Sequence, residues 1–143
     1  MKTSMKTKLE QLARRLEEID VQLSSVDAAR AMARRLVAAG LPEADVRVIE
    51  VVPGVGSLVA RMRGTNRGAK PILLMAHIDV VSARREDWSF DPFEFRELEG
   101  YYYGRGTTDN KAGAAMLVST FIRYREEGFV PKRDLIIALT GDE

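Results

Sequence analysis

Two short apolar runs constrain the fold of this chain more than any other feature of its sequence. The first, ILLMA, follows Pro71, and the second occupies Leu135 to Leu139. Each run is too short for a typical helix and ends in polar residues, which is the pattern of a strand buried on both faces of a sheet. Between them, Asp109 to Glu127 follows a glycine-rich turn and is predicted to be a helix. Strands that alternate with a helix indicate an α/β fold.

The N-terminal part of the chain predicts two helices. The first covers Lys8 to Leu23, where leucine and isoleucine recur three and four positions apart. The second begins at Ser24 or Ser25 and ends at Gly40. Because the first helix spans barely two heptads, we interpret its apolar stripe as a face that packs on its own domain rather than as a coiled coil.

Alternating polarity and turn residues predict the remaining strands. Asp45 to Val52 and Ser57 to Arg63 are predicted to be antiparallel, and a further hairpin is predicted around Glu99 and Gly100. Together the elements predict an α/β fold with a mixed β-sheet flanked by helices. No linker, repeat or low-complexity segment divides the chain, so we expect one domain unit.

Composition excludes several classes of function. The 143 residues carry 22 Lys and Arg against 21 Asp and Glu, so no basic field indicates binding to nucleic acid or to a membrane. No apolar run approaches the roughly 18 residues of a membrane span, and the basic N-terminus lacks a signal-peptide core, so we expect a cytoplasmic protein. The chain has no cysteine, which leaves His, Asp and Glu as strong metal ligands, and His77 is the only histidine.

Three polar clusters could carry chemistry, and each also has a structural interpretation. His77 and Asp79 end the first apolar run, at the edge where open α/β sheets bind ligands. A carboxylate two residues along the strand can hold the second ring nitrogen of a metal-binding imidazole. Asp109 can equally be a helix N-cap, and the pair Asp142 and Glu143 can cap a following helix. Taken singly, each cluster is more often structural than functional.

The glycines around Arg105 allow another interpretation, a phosphate cradle at a helix N-terminus and hence a nucleotide-binding module. The Walker spacing is absent, and no GxGxxG follows a strand. Thermal stabilisation by ATP but not by zinc would support this interpretation.

The order of four motifs favours a catalytic site over the structural interpretations of the single clusters. LMAHIDVV, EDW with DPF, GYYYGRGTTDNKAG and LTGDE occur in that order. Together they resemble the di-zinc exopeptidase and N-acyl amino acid amidohydrolase family, which contains acetylornithine deacetylase, succinyl-diaminopimelate desuccinylase, aminoacylase, carnosinase-like dipeptidases and glutamate carboxypeptidase. The resemblance covers residues 70–143 strongly and the N-terminal elements in outline. Ser82 and Asn110 depart from the common pattern, both outside the implied chemistry.

The resemblance implies a role for four residues. His77 would be a zinc ligand that Asp79 orients, Asp109 would bridge two zinc ions, and Glu143 would be the general acid and base. The two ions, Zn²⁺ with Co²⁺ or Mn²⁺ as alternatives, would share a bridging hydroxide that attacks the amide carbon of a small peptide or N-acyl amino acid. The resemblance also implies a cis peptide bond between Asp109 and Asn110.

Other residues of these motifs receive structural roles. We assign Arg105 and Lys111 to shaping the loop beside the site. Trp88 and Tyr101 to Tyr103 are interpreted as the core of the hairpin rather than as a substrate platform.

The same resemblance predicts that the chain is incomplete. A glutamate that binds zinc, a later acidic ligand, a last histidine and an inserted dimerisation domain would all follow Glu143. Residues 1–143 would then be the N-terminal part of the catalytic domain of a homodimeric enzyme. With only two ligands and the base present, we expect this chain alone to hydrolyse no substrate at a measurable rate. The alternative is a truncated, inactive domain with a folding or partner-binding role.

Overall fold

The computed structural model describes residues 25–142, so the helix predicted over Lys8 to Leu23 and the residue Glu143 lie outside the described part. The elements follow in the order α1 (Ser25–Ala38), β1 (Val46–Val52), β2 (Val55–Met62), β3 (Ile72–His77), β4 (Arg96–Leu98), β5 (Tyr101–Tyr103), α2 (Lys111–Glu126) and β6 (Leu135–Thr140). Each helix and strand predicted within this range is present. Neither α1 nor α2 is long and apolar enough to cross a membrane.

Four strands form one mixed sheet in the order β1-β2-β6-β3. β2 pairs antiparallel with β1 on one side and with β6 on the other, whereas β3 and β6 are parallel. The predicted α/β fold with a mixed sheet flanked by helices is therefore confirmed.

Both helices pack against one apolar core on a single face of this sheet. The register pairs Leu58 with Leu139 and Ala60 with Ile137, so all four side chains point to the same face, and all four are fully buried. The helices contribute a further set of buried side chains to the same cluster: Ala29, Leu36, Ala114, Val118 and Phe121.

The other face of the sheet corrects one prediction. β3 is an edge strand of the described sheet, and its side chains Leu73 and Met75 are exposed. In the central strand β6, Ile137 is buried, but its neighbours Ile136 and Ala138 are only half-buried. The expectation that both apolar runs are buried on both faces is wrong for the described residues, because α1 and α2 cover the same face and leave the second one open.

β4 and β5 form a separate two-stranded hairpin. The turn residues Glu99 and Gly100 both have positive φ, 52° and 80°, as a two-residue type I′ turn requires. The predicted hairpin is confirmed. The interpretation of Tyr101 to Tyr103 as its core is wrong, because all three tyrosines are exposed.

Two aspartates fix the edge of the sheet at which β1 and β6 begin. Asp45 accepts a hydrogen bond from Arg63 Nε over 2.7 Å, and Asp134 accepts one from the Gly64 backbone N–H over 2.6 Å and also pairs with Arg61. These donors favour the charged carboxylates. The bond from Arg63 lowers the pKa of Asp45, and the Gly64 N–H, followed by Arg61, lowers the pKa of Asp134.

Candidate metal centre

The two parallel strands end side by side at the opposite edge of the sheet. His77 and Thr140 are register partners, and the N–H of Ile78 donates to the Thr140 carbonyl over 2.7 Å. The chain therefore leaves β3 and β6 at one point, with Asp79 and Asp142 in the segments that follow. Polar side chains at the carboxyl ends of parallel strands commonly form ligand sites.

The imidazole of His77 lies between two aspartates. Its Nδ1 is 3.2 Å from the backbone oxygen of Asp79 and 3.5 Å from the Asp79 carboxylate, and its Nε2 is 3.0 Å from Asp109 Oδ1. The side chain of His77 is only 11% exposed, whereas that of Asp109 is 84% exposed. The structure thus brings together the three residues that the sequence selected in this range, although 32 positions separate His77 from Asp109.

The loop before α2 presents Asp109 to the histidine. The peptide bond between Asp109 and Asn110 is cis, as the family resemblance implies. Asn110 occupies the N-cap position of α2, without a side-chain capping bond, and the helix begins at Lys111. The alternative interpretation of Asp109 as the helix N-cap is therefore wrong.

A crevice of about 270 Å³ opens beside this pair. Its walls include His77, Asp109, Trp88 and Arg105. Trp88 lines this crevice and also packs edge-to-face on Phe90, which in turn contacts Tyr103 of β5, so its interpretation as part of the hairpin packing stays a prediction.

Two serine side chains hold the backbone just after β6. The carbonyl of Gly141 accepts a hydrogen bond from Ser25 Oγ over 3.4 Å, and its N–H donates to Ser57 Oγ over 3.2 Å. Ser25 Oγ also accepts from the N–H of Gly56 over 3.1 Å. Sequence reasoning missed this clamp, which fixes the chain two residues before Glu143.

The donor set fits a metal ion such as zinc. Imidazole nitrogen and carboxylate oxygen are ordinary zinc ligands, and a ligating histidine usually has its other ring nitrogen held by a carboxylate or a carbonyl oxygen. Asp79 is in that position, and its Oδ1 is buried without a hydrogen-bond partner. Residues 25–142 contain no group of three or more His, Asp or Glu side chains placed to hold a metal ion. Within the described chain, Nε2 of His77 and Oδ1 of Asp109 are close enough, at 3.0 Å, to face one ion together.

Comparison with known proteins identifies the family. Residues 73–143, which span β3 to the end of the chain, match the model of Peptidase family M20/M25/M40. This match, with the fold and the site, places the chain in that family of peptidases and aminoacylases.

Individual relatives agree with this assignment. Aminoacylase-1 of Sus scrofa is 40% identical over 96 residues, which are 66% of this chain and 24% of that protein. N-fatty-acyl-amino acid synthase/hydrolase PM20D1.1 of Danio rerio is 40% identical over 81 residues, which are 56% of this chain and 16% of that protein. The crystal structure of human carnosine dipeptidase 1 superposes with a TM-score of 0.64 at 21% identity, over 94% of this chain and 32% of that chain.

The similarity to the dipeptidase structure, at 21% sequence identity, shows the fold alone. This chain spans 24% of the length of the aminoacylase and 16% of the length of the synthase/hydrolase. The names of these proteins state hydrolytic activities of much longer chains. They define the class of reaction for which this site should be tested.

Proposed function

We propose that this chain forms part of a metal-dependent hydrolase that cleaves an amide or peptide bond in a small peptide or an N-acyl amino acid. The approach of Asp109 Oδ1 to within 3.0 Å of His77 Nε2 carries the proposal. A carboxylate and an imidazole nitrogen from distant parts of the chain converge there, beside a crevice, as two ligands of one metal ion would. Membership of a peptidase family supports the same reaction class.

In this proposal His77 and Asp109 hold the metal, which we expect to be zinc, with Co²⁺ or Mn²⁺ as alternatives. When bound, a zinc pair lowers the pKa of a shared water toward neutrality and polarises the carbonyl that is attacked. Further ligands are expected outside residues 25–142, because that range supplies only these two.

Two residues of the protein are proposed to assist the reaction, one by orienting the His77 ring and the other by transferring protons. Asp79 holds the Nδ1 side of the imidazole and so directs Nε2 of His77 toward Asp109. Glu143, three residues after β6, is proposed to take a proton from the attacking water and to give it to the departing amine, a role worth about 10²–10⁴-fold in rate. In the net reaction the amide C–N bond breaks, the carbonyl carbon gains OH, and the amine nitrogen gains H.

Calorimetric zinc titration of the metal-free chain tests the ligand pair. We expect His77→Ala and Asp109→Asn each to weaken zinc binding by more than about tenfold, and Asp79→Asn to weaken it by about tenfold through loss of its hold on the ring. Asp87→Asn, which alters an exposed carboxylate in a turn, is the matched control and should keep the original affinity. Equal affinities in all these proteins would refute the ligand assignment.

Hydrolysis is measured separately, by release of free amine from N-acetyl amino acids and dipeptides. We expect no measurable turnover by the 143-residue chain alone, because catalytic zinc generally takes three protein ligands. A longer protein that contains this chain should be active and should lose that activity on Glu143→Gln. Turnover that persists in Glu143→Gln would contradict the base assignment.

A second candidate is an inactive domain with a folding or partner-binding role. One observation favours it, namely that residues 25–142 contain no group of three or more His, Asp or Glu side chains placed to hold a metal ion. Zinc binding without turnover in the longer protein would support it. A homodimer formed through a domain beyond Glu143, and a cytoplasmic location, stay predictions from the sequence.

A further inference from the structure

A second cavity, of about 100 Å³, lies at the edge of the sheet where β1 and β6 begin. It is bounded by the loop after α1, the end of β2 and the segment that follows α2. Met62, in its wall, pairs with Leu135 at the start of β6, whereas His77 pairs with Thr140 at the other end of that strand. Five residue steps along a strand span roughly 17 Å, so this cavity is separate from the candidate metal centre.

Hydrocarbon groups form much of the wall of the second cavity. Leu41 and Met62 belong to the buried core, whereas Phe129 and Val130 are exposed. Because apolar surface gains free energy on leaving water, these side chains favour a hydrocarbon group as the occupant. The volume is well below the roughly 300–1,000 Å³ of a typical small-molecule pocket, so that group is about the size of one side chain.

Three arginines, Arg61, Arg63 and Arg125, line the same cavity. Arg63 Nη2 donates to Asp45 over 2.8 Å, and Arg61 Nε donates to Asp134 over 2.8 Å. Arg125 forms no ion pair with a carboxylate among residues 25–142. Three guanidinium groups against two carboxylates leave a net positive charge beside the cavity, which favours an anion there.

The loop after α1 holds Arg125 at the cavity and leaves most of its donors free. Its Nη2 donates to the Gly40 carbonyl over 2.8 Å. Gly40 has φ of 96°, and a Cβ atom there would lie 3.6 Å from the same nitrogen. A guanidinium has several further N–H groups, which can bind an anion.

Arg123, two residues earlier on α2, provides a comparison within the same helix. Its Nε lies 3.8 Å from Glu127 Oε1, and it is not among the residues that line the second cavity. Arg125 differs in both respects, since it lines the cavity and has no carboxylate partner in the described part of the chain. The charge of Arg125 is therefore available to a ligand.

We propose that the second cavity binds a small monocarboxylate with a branched hydrocarbon group, its carboxylate on Arg125 and its hydrocarbon group against Phe129 and Val130. This ligand is distinct from any substrate of the metal centre, and the inference does not rest on the proposed hydrolase function. A carboxylate matches the planar guanidinium with two parallel hydrogen bonds. Inorganic phosphate would supply the negative charge but would leave the apolar wall unfilled.

The test is NMR spectroscopy of the ¹⁵N-labelled, metal-free 143-residue chain, titrated with isovalerate at constant ionic strength. The hydrocarbon group of isovalerate resembles a leucine side chain. We expect saturable shifts of the backbone amide signals of Gly40, Leu41 and Val130, with a Kd of about 10 mM or tighter, and no shift at His77 or Asp109.

Two analogues separate the contributions of charge and hydrocarbon. Isovaleramide lacks the charge and acetate lacks the branched group, so each should bind at least about fivefold more weakly than isovalerate. Equal affinities for the three ligands would overturn the proposal.

Substitutions then test the assigned residues. Arg125→Gln should raise the Kd of isovalerate at least about fivefold and leave that of isovaleramide within about twofold, whereas Arg123→Gln is the matched control and should change neither. Val130→Asp places a negative charge in the exposed wall and should also weaken isovalerate binding at least about fivefold. Val51→Asp, at an exposed position of β1, is its control and should bind as the original chain does.

Shifts that do not saturate, or that map to the crevice beside His77, would also overturn the proposal, as would an unchanged Kd of isovalerate in Arg125→Gln. If Arg125→Gln fails to fold because it loses the bond to Gly40, Val130→Asp and the comparison of the three ligands in the original chain still decide. The titrations contain no metal and measure no turnover, so their outcome is independent of the proposed function.

Discussion

At the scale of single residues, Gly106 carries a tight constraint on the loop that presents Asp109. It has φ of 87°, and a Cβ atom there would lie 2.5 Å from Val80 Cγ1. Gly106→Ala therefore combines an unfavourable backbone conformation with a steric clash. Positive φ is unfavourable for alanine, and overpacking typically adds a cost of about 1–3 kcal/mol. We therefore expect Gly106→Ala to lower the free energy of unfolding by about 1–3 kcal/mol more than a substitution that has the same unfavourable φ but no clash.

Gly100→Ala is the matched control for this prediction. Gly100 also has positive φ, 80°, but a Cβ atom there would meet nothing within 4 Å. Urea unfolding of both variants isolates the clash. Equal losses of stability in the two variants would show that the loop can move away from Val80, and zinc affinity should then be unaffected in both.

The residue types in the sequence predicted part of the site. The remaining contacts depend on the tertiary structure. His77 was selected because the chain has one histidine and no cysteine, and in the structure its Nε2 lies 3.0 Å from Asp109 Oδ1. The orientation of Arg105 over Trp88 was not predictable, because both side chains occur in segments without regular periodicity. Their contact depends on how the loops fold back on the sheet.

At the scale of elements, the ion pairs at the start of β1 and β6 make stability depend on pH. The pKa of Asp45 and that of Asp134 are lowered in the folded chain, so the folded state binds protons less readily than the unfolded state does. Their stabilising contribution is fully present above the unfolded-state pKa of about 3.9 and is lost as pH falls through the lower folded-state values.

Asp45→Asn should therefore lower the melting temperature at pH 7, and the difference from the original chain should shrink as pH falls below about 4. Thermal unfolding between pH 7 and pH 2, followed by circular dichroism, measures it. Asp27→Asn, at an exposed position on α1, is the control and should show a much smaller effect. A difference that stays constant over this pH range would mean that charge on Asp45 does not contribute.

Element boundaries were predictable where local chemistry determines them. Gly40, with φ of 96°, ends the turn after α1, and the paired positive φ values at Glu99 and Gly100 form the turn that sequence reasoning placed there. Burial of β3 on both faces was not predictable from its apolar run. Burial of the second face depends on what packs there, and that is a property of the tertiary structure rather than of the strand.

At the scale of the whole molecule, one core joins both helices to the sheet. Phe121 on α2 is 1% exposed and lies in this cluster, whereas Met116 on the same helix is 65% exposed. Phe121→Ala should cost about 3–5 kcal/mol, a large share of the stability of a typical domain. Met116→Ala should change stability by less than about 0.5 kcal/mol. Chemical denaturation of both variants measures the difference. Similar losses of stability in the two variants would contradict a core in which Phe121 packs between α2 and the sheet.

Long-range contacts at the site edge were also beyond sequence reasoning. The bonds from Gly141 to Ser25 and Ser57 join residues that are 116 and 84 positions apart. Serine at either position is compatible with a cap, a turn or an exposed strand. Only the tertiary fold shows that both hydroxyls meet the backbone of one residue, Gly141.

The order β1-β2-β6-β3 has a consequence for the way the chain is made. β6 separates β2 from β3, so during synthesis on the ribosome the β1-β2 hairpin can form early, while β3 has no partner among the described strands until residues 135–140 emerge. In that interval the apolar side chains of β3 and its backbone hydrogen-bonding groups are open to other chains. Pairings of such high contact order form slowly, so the nascent protein is most prone to aggregation just before β6 is inserted.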